Sequence, residues 1–310
     1  MNNNSVILIT GGNGVLGTAT RHKFKTMGLN FLAPTRQELN LLDLTSTCYF
    51  IKKHKPDIVI HLAATVFGLG GHIKNQMNVV VSNTTINNNL FSALYNYPPQ
   101  KIFYAGTVAS YPYPFKSLPL KEEDFFDGLP HSGEFGYAMA KRHAYSYLRI
   151  LQEEKNVAFI YGIFTNMFGI NDKFNIETSH VIPSLIAKAF QAKTENTPLK
   201  VWGNGEATRD FLCVDDAANA IYFLLNQVPL NDIINISTGV SCSIKEASEL
   251  IYKAANLDQG IIFLPNMPSG ISHRYVDNKK LISLGFSLNN NFETEIHNTY
   301  KWYALNKGNK

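Results

Sequence analysis

The sequence has few cysteines and no long apolar run. Its 310 residues contain three cysteines, Cys48, Cys213 and Cys242, and their spacing matches no metal-binding pattern, so we expect no metal. An odd, sparse cysteine count without a signal peptide favours a reduced, cytoplasmic protein. No apolar run reaches the roughly 18 residues needed to span a membrane, so no membrane partner is expected.

The sequence also lacks any block of charge of one sign. Its 28 basic and 24 acidic residues leave a net charge of +4, and both signs are spread along the chain. No basic run indicates nucleic-acid binding, whereas a mild positive excess suits a polyanionic small molecule. A hydrophobic content of 45% over this length allows one large domain or two interlocked ones.

Short apolar runs alternate with helical segments through the first half of the chain. Predicted strands cover residues 5–10, 30–34, 57–62, 101–105 and 157–164, separated by helices up to residue 27 and over 45–55, 83–95 and 137–154. This alternation predicts an α/β fold, a Rossmann-type doubly wound parallel sheet.

After Thr165 strands and helices no longer alternate regularly. Helices are predicted over 180–193, 215–226 and 243–255, and strands over 199–202, 233–236 and 260–264. We therefore expect residues 1–165 to form a nucleotide-binding domain, with segments near 208–237 returning to it. Residues 166–310 would form mainly a smaller, interleaved C-terminal substrate domain.

A glycine-rich turn follows the first predicted strand. Its glycines are spaced Gly-x-x-Gly-x-x-Gly before a predicted helix, where backbone N–H groups and the helix dipole favour a pyrophosphate. The alternative is a turn that needs glycine only for its backbone angles. The predicted cofactor loop comprises Gly11, Asn13, Gly14, Val15, Leu16 and Gly17.

The end of the second predicted strand indicates which dinucleotide is bound. Many such folds carry an acid there for the adenosine ribose, but this chain has Thr35 and Arg36, with no acid before Glu38. A guanidinium can bind a 2′-phosphate in fork geometry, so Arg36 favours NADPH over NADH. The alternative is that Arg36 is a solvated loop residue.

Tyr137 and Lys141 stand four residues apart on a predicted helix, which places them on one face. A nearby ammonium is expected to lower the tyrosine pKa toward the range of a proton donor. The pattern is short and weak by itself. It gains weight from the upstream glycine turn and from the hydroxyl of Thr107, which follows the fourth predicted strand.

Together these motifs resemble the extended short-chain dehydrogenase/reductases, and within them the GDP-L-fucose synthase family. The resemblance extends over nearly the whole chain, and its most specific segments are residues 36–43, 62–64, 166–169, 179–183, 201–205 and 209–216. It implies NADPH/NADP as cofactor and a GDP-4-keto-6-deoxy sugar, hexose or heptose, as substrate. It also implies a homodimer formed through the helices near Asn83 and Tyr137.

The resemblance implies a role for each catalytic residue. Thr107 would hydrogen-bond the 4-keto oxygen, Tyr137 would protonate it, and Lys141 would hold the nicotinamide ribose. His180 matches the family's catalytic histidine. The further cofactor contacts that the resemblance implies are Asp43 at the adenine, Leu62, Ala63, Ala64, Phe164, Asn166 and His180.

The substrate contacts come from the same resemblance. Trp202 would stack on guanine or be a core aromatic, and Arg209 would bind diphosphate or pair with Asp215 or Asp216. Asn166 would contact the sugar or act as a cap. The full implied set is Thr107, Val108, Ala109, Asn166, Lys188, Trp202, Arg209 and, on a looser match, Arg274.

One position departs from the family. Family members epimerise C3 and C5 before reducing C4, and they use a cysteine where this chain has Ala109. Alanine cannot move a proton, Ser110 is too weak a base, and Cys213 reads as a buried apolar residue. The sequence therefore predicts C4 reduction without C3/C5 epimerisation. The alternatives are a bifunctional epimerase/reductase and a non-enzymatic NADPH-binding sensor.

A dehydratase and a C4-epimerase of the same superfamily fit less well. Sugar-nucleotide 4,6-dehydratases place an Asp-Glu pair after the catalytic threonine, where this chain has Val108 and Ala109. A C4-epimerase would hold NAD, against which Arg36 argues. Family members that only reduce occur in pathways to bacterial surface polysaccharides, which the resemblance implies as a setting.

Overall fold

The computed structural model describes residues 5–227, 230–267 and 270–307. The strands are β1 (Ile7–Thr10), β2 (Phe31–Leu32), β3 (Ile58–His61), β4 (Lys101–Thr107), β5 (Ala158–Phe164), β6 (Asn166–Phe168), β7 (Leu199–Trp202), β8 (Thr208–Arg209), β9 (Phe211–Cys213), β10 (Asp232–Ile236), β11 (Cys242–Ser243), β12 (Ile261–Leu264) and β13 (His273–Arg274). The α-helices are α1 (Val15–Thr26), α2 (Leu44–His54), α3 (Leu69–Lys74), α4 (Gln76–Asn96), α5 (Phe135–Lys155), α6 (Val181–Glu195), α7 (Val214–Leu225), α8 (Ile244–Ala254), α9 (Lys279–Ser283) and α10 (Phe292–Lys307).

A six-stranded parallel sheet organises the first part of the chain. Its strand order is β10-β5-β4-β3-β1-β2, and every neighbouring pair is parallel, with Ile7 opposite Ile58 and Lys101 opposite Ala158. β1 and β3 are buried along their whole length, as apolar runs covered on both faces must be. The predicted doubly wound parallel fold is confirmed.

Helices cover both faces of this sheet. On one face α4 packs between α2 and α5, and on the other α1 packs against α7. Each interface has its own apolar cluster, one containing Leu90 and Leu148, the other Phe24 and Ile221. The return of β10 and α7 to the sheet places residues from the second half of the chain beside the nucleotide-binding half.

A third apolar cluster lies away from the sheet. It joins α6, α8 and α10 with the parallel pair β7 and β12. Helix α10 contributes Ile296, Tyr300 and Tyr303, whose spacing of four and three residues puts them on one face. Among the described helices, none combines the length and the apolar character needed to cross a membrane.

Two boundaries near the sheet differ from the prediction. β4 continues to Thr107 instead of ending at Ala105, so Thr107 is held by the sheet itself. Helix α4 begins at Gln76 rather than residue 83 and is preceded by α3. Residues 1–4 and Ser269, the first residue of the segment predicted to carry Arg274, lie outside the described residues.

Candidate active site

A cavity of about 900 Å³ opens at the carboxyl ends of β1, β3, β4 and β5, where ligands bind in open parallel sheets. It gathers most of the predicted residues. Those lining it are Gly11, Asn13, Gly14, Val15, Leu16, Gly17, Arg36, Leu62, Ala63, Ala64, Thr107, Val108, Ala109, Tyr137, Lys141, Phe164, Asn166, His180 and Arg274.

The glycine turn forms the floor of this cavity. Gly11 has a φ of +70°, and a Cβ there would lie 2.6 Å from the Ala63 backbone nitrogen. A Cβ on Gly17 would lie 2.2 Å from the Gly11 carbonyl oxygen. Helix α1 starts at Val15 with no acid in its first turn, so nothing offsets the positive end of its dipole. This cradle fits a pyrophosphate.

The adenosine end of the cavity carries the guanidinium group of Arg36, and a second guanidinium lies beside the glycine turn. Arg36 lines it and is exposed. Arg21, which the sequence analysis did not select, donates to Asn13 Oδ1 at 3.0 Å. Asp43 does not reach the cavity: its carboxylate caps α2 by accepting from the Ser46 backbone N–H at 2.9 Å. The helix start already uses one oxygen of this carboxylate, and the adenine contact expected of Asp43 stays a prediction.

Thr107, Tyr137 and Lys141 converge at the inner end of the cavity. The Thr107 hydroxyl lies near enough to Tyr137 to lower the pKa of its phenol, and it accepts from the Ala109 backbone N–H at 3.2 Å. Lys141 lies one turn after Tyr137 on α5, is 3% exposed and donates to the Ala105 carbonyl oxygen at 2.8 Å. Its Nζ lies 5.9 Å from the centre of the Tyr137 ring.

The pKa of Tyr137 is raised, which is opposite to the predicted lowering. Burial raises the pKa of Tyr137, the Glu134 carboxylate raises it further, and the Thr107 hydroxyl only partly opposes them. Burial also lowers the pKa of Lys141 to about 7, and its ammonium bonds to a carbonyl instead of approaching the phenol. Tyr137 is consequently fully protonated at neutral pH.

Two ionisable side chains, His72 and Glu134, lie near Tyr137, and a third, His180, lies near His72. His72, on α3, packs its ring 4.7 Å from that of Tyr137, and Glu134 lies one turn before Tyr137 and pairs with Arg274. His180 precedes α6 and is exposed at the cavity wall. Desolvation lowers the pKa of His180 despite the opposing effect of Glu134. The sequence analysis selected neither His72 nor Glu134.

A second cavity of about 190 Å³ adjoins the first, and Glu134, His180 and Arg274 line both. It contains Lys188, Trp202 and Arg209. Trp202 lines this space and so is not a core aromatic, and the Lys188 ammonium lies 4.1 Å from the centre of its ring.

Arg209 is buried but remains available to an anion. It donates to the Thr208 carbonyl oxygen and forms no ion pair with any residue in the described ranges. The alternative pairing with Asp216 is wrong, since Asp216 accepts from the backbone of Asn289 and Asn290. Arg274, by contrast, is engaged by the Glu134 carboxylate at 2.6 Å, so its guanidinium is already paired and is not a free diphosphate ligand.

The sequence profile of the NAD dependent epimerase/dehydratase family matches residues 7–237. The chain belongs to this family. It is 30% identical over 302 residues to a putative GDP-L-fucose synthase 2 from Arabidopsis thaliana, covering 97% of this chain and 92% of that one. The resemblance to the GDP-L-fucose synthase group of extended short-chain dehydrogenase/reductases is therefore confirmed, and with it the expectation of an enzyme.

Two solved structures share the whole architecture. A GDP-L-fucose synthetase from Naegleria fowleri bound to NADP superposes with a TM-score of 0.91 at 27% identity, over 99% of this chain and 96% of that one. A GDP-mannoheptose C4 reductase from Campylobacter jejuni with NADP bound gives 0.86 at 27% identity, over 98% and 99%. Both of these related proteins hold NADP.

The surroundings of Ala109 decide whether another residue could serve as the base that the family cysteine provides. Ala109 is 4% exposed, and the neighbouring Ser110 hydroxyl donates to the Ala138 carbonyl oxygen at 3.1 Å. Cys213 lies outside both cavities, 3.6 Å from a Glu295 carboxylate oxygen, and burial raises its pKa to about 12. Neither Ser110 nor Cys213 is placed to act as the missing base.

Asn166 is only partly available for a ligand. It lies on β6, and both its backbone N–H and its side-chain amide donate to the Asp210 carbonyl oxygen, at 3.0 and 3.3 Å. Its side-chain oxygen has no partner among the described residues and faces the cavity that Asn166 lines. The side-chain oxygen and the second N–H of the amide therefore remain for a bound molecule.

Proposed function

We propose that this protein reduces C4 of a GDP-4-keto-6-deoxy sugar, hexose or heptose, with NADPH and without epimerising C3 or C5. One observation carries the proposal. Thr107, Tyr137 and Lys141 meet at the inner end of the dinucleotide cavity, beside Ala109, at the position where the family resemblance implies a cysteine base. The similarity to a GDP-L-fucose synthetase and to a GDP-mannoheptose C4 reductase, both holding NADP, supports both substrate and cofactor.

The chain's own residues would hold the cofactor by three features. The cradle of Gly11 and Gly17 and the start of α1 suit the pyrophosphate. Arg36, which lines the cavity, suits a 2′-phosphate. Lys141 already donates a hydrogen bond at the nicotinamide end. When bound, NADPH supplies the hydride for C4.

The protein residues then supply the proton and its path. Thr107 donates a hydrogen bond to the 4-keto oxygen, which orients the carbonyl toward Tyr137. The raised pKa of Tyr137 keeps its phenol protonated until charge develops on that oxygen. Lys141, with a pKa of about 7, gains its full charge beside an anionic cofactor and then stabilises the phenolate that forms.

The GDP part of the substrate would occupy the second cavity. Trp202 offers a stacking surface beside the Lys188 ammonium, and Arg209 offers an unpaired guanidinium for the diphosphate. In this arrangement residues 1–165, with segments near 208–237, hold the cofactor, and residues 166–310 hold mainly the GDP-sugar.

We also propose a homodimer through α4 and α5, which pack side by side and expose Met77, Val81 and Ile150. Sedimentation equilibrium measures the oligomeric state of the wild type and of a variant that carries both Met77→Lys and Val81→Lys. A monomeric wild type contradicts it.

NADPH consumption tests the main proposal. The protein is incubated with NADPH and chemoenzymatically prepared GDP-4-keto-6-deoxy hexose or heptose, and loss of NADPH absorbance is followed. We expect stoichiometric oxidation and a product reduced only at C4. A protein that binds NADPH tightly but reduces none of these sugars would support the sensor alternative.

A further inference from the structure

His72 is a buried histidine at the active centre for which the reaction above has no use. It lies on α3, is 4% exposed and lines the cofactor cavity. Its ring packs against that of Tyr137, with centroids 4.7 Å apart and planes inclined by 30°. A side chain this close to the proton donor is also close to whatever Tyr137 protonates.

The hydrogen bonding of the ring fixes its tautomer. The Phe67 backbone N–H donates to His72 Nε2 at 3.3 Å, so Nε2 is an acceptor and carries no hydrogen. Burial lowers the pKa of His72 to about 4, with Glu134 opposing and His180 adding to the shift. The imidazole is therefore neutral at pH 7, and its single hydrogen is on Nδ1.

Nδ1 is left without a partner by the protein. No described residue accepts from it, and it is not among the fully enclosed polar atoms that lack a hydrogen bond. The Nδ1–H donor is consequently open to the cavity that His72 lines. An unpaired donor at the wall of a binding site is satisfied when a ligand supplies an acceptor.

The segment that carries His72 is held firmly in place. Gly68 N–H donates to the Thr178 carbonyl oxygen at 3.0 Å, and His72 N–H donates to the Gly68 carbonyl oxygen at 3.0 Å. A Cβ on Gly68 would lie 2.6 Å from the Ser179 carbonyl oxygen. The backbone of α3 is thus packed directly on the segment that leads to His180, and the donor is pre-organised.

We propose that His72 Nδ1–H donates a hydrogen bond to a hydroxyl group of the bound sugar adjacent to the carbonyl that Tyr137 protonates. His72 thereby selects the orientation of the sugar ring. It does so as a neutral donor: Nε2 is turned to the backbone, so His72 is not a replacement for the family's cysteine base. This inference rests on the proposed function.

Three substitutions separate the donor from the other contacts of His72. His72→Asn places an amide N–H near the position of Nδ1. His72→Gln places its amide near Nε2, so it retains an acceptor for the Phe67 N–H but lacks the Nδ1 donor. His72→Phe keeps a ring against Tyr137 and removes both polar groups. Comparing Asn with Gln keeps the test valid if the Phe variant fails to fold.

The readout is the dissociation constant of a GDP-linked 6-deoxy sugar divided by that of GDP alone, measured by titration calorimetry with NADP⁺ present. The ratio isolates contacts to the sugar. We expect this ratio to rise by roughly 3- to 10-fold in His72→Gln and in His72→Phe, which is the effect of losing one neutral hydrogen bond to the sugar. His72→Asn should recover most of it, and the KM of the 4-keto substrate should follow the same order.

A ratio unchanged in His72→Gln overturns the inference, as does a loss in His72→Asn as large as that in His72→Gln. Either result leaves the proposed function intact if the wild type still reduces the 4-keto sugar. A wild type that reduces no such sugar overturns both.

Discussion

Removing the charge of Glu134 from its buried pair with Arg274 should lower the free energy of unfolding and raise the affinity for GDP. Glu134 Oε2 lies 2.6 Å from Arg274 Nη1, and the two side chains are only 13% and 9% exposed. The pair joins the start of α5 to β13. Burial lowers the pKa of Arg209 to about 10, and the Arg274 charge lowers it further. Glu134 is therefore the carboxylate that compensates two guanidinium groups.

Replacing Glu134 by glutamine removes the charge and keeps the shape. Leaving a buried charge uncompensated costs about 3–5 kcal/mol of unfolding free energy. The matched control is Glu153→Gln, because Glu153 pairs with Arg149 at 2.8 Å with both side chains about half exposed, where such a pair contributes about 0.3–0.5 kcal/mol. Urea unfolding of both variants at pH 7 measures the two losses.

The difference in unfolding free energy between the wild type and Glu134→Gln should depend on pH, and the direction of that dependence follows from the pKa of Glu134. Burial alone would raise the pKa of Glu134, but Arg274 outweighs it, and the net pKa is lowered below 4.5. The contribution of the carboxylate is therefore present above pH 4.5 and is lost as the pH falls through the folded-state pKa. The wild type and Glu134→Gln should converge in stability under acid conditions.

Glu134→Gln should also bind GDP more tightly than the wild type, because Arg209 and Arg274 then both face the diphosphate without a competing carboxylate. Calorimetry with GDP measures this. A stability loss no larger than that of Glu153→Gln, or GDP binding weaker than in the wild type, would refute the assigned role of the pair.

Three further changes test the cofactor and proton-donor assignments. Arg36→Ala should narrow the preference for NADPH over NADH by about 1–3 kcal/mol, and equal efficiency with both cofactors in the wild type contradicts the assignment. Tyr137→Phe should lower turnover at least ~10²-fold while NADPH binding survives; near-normal turnover means that another group is the donor. Gly17→Ala should abolish NADPH binding, because the added Cβ would collide with the Gly11 backbone. Gly70→Ala is the control, since its Cβ would meet open space, and it should bind NADPH normally. Equal NADPH affinity in the two variants would show that the glycine turn does not hold the pyrophosphate.

The sequence predicts the fold well where local pattern and tertiary structure agree. The apolar runs ending at Thr10 and Phe164 become buried parallel strands, and the glycine spacing specifies a turn that only glycine can form. Thr107 could be identified because it follows a predicted strand, and Tyr137 because helix periodicity places it on one face with Lys141.

The contacts that Glu134, Arg274 and His72 make depend on residues far apart in the chain, and the sequence does not show them. Glu134 and Arg274 are 140 positions apart, and no local pattern connects them. His72 lies in a glycine-rich segment whose packing on Thr178 determines where the ring points. Asp43 matched a family motif, yet its side chain is used as a helix cap.

Heavy water tests the central claim most directly. A proton removed from C3 or C5 exchanges with solvent, whereas hydrogen added to C4 comes from NADPH, so the mass of the product separates the two activities. With Ala109 buried and both Ser110 and Cys213 engaged elsewhere, we expect no deuterium at C3 and C5 together. Ala109→Cys, which restores a thiol at that position, should introduce some exchange. Deuterium at both carbons of the wild-type product, at a rate comparable to reduction, would contradict the account and identify a bifunctional epimerase/reductase.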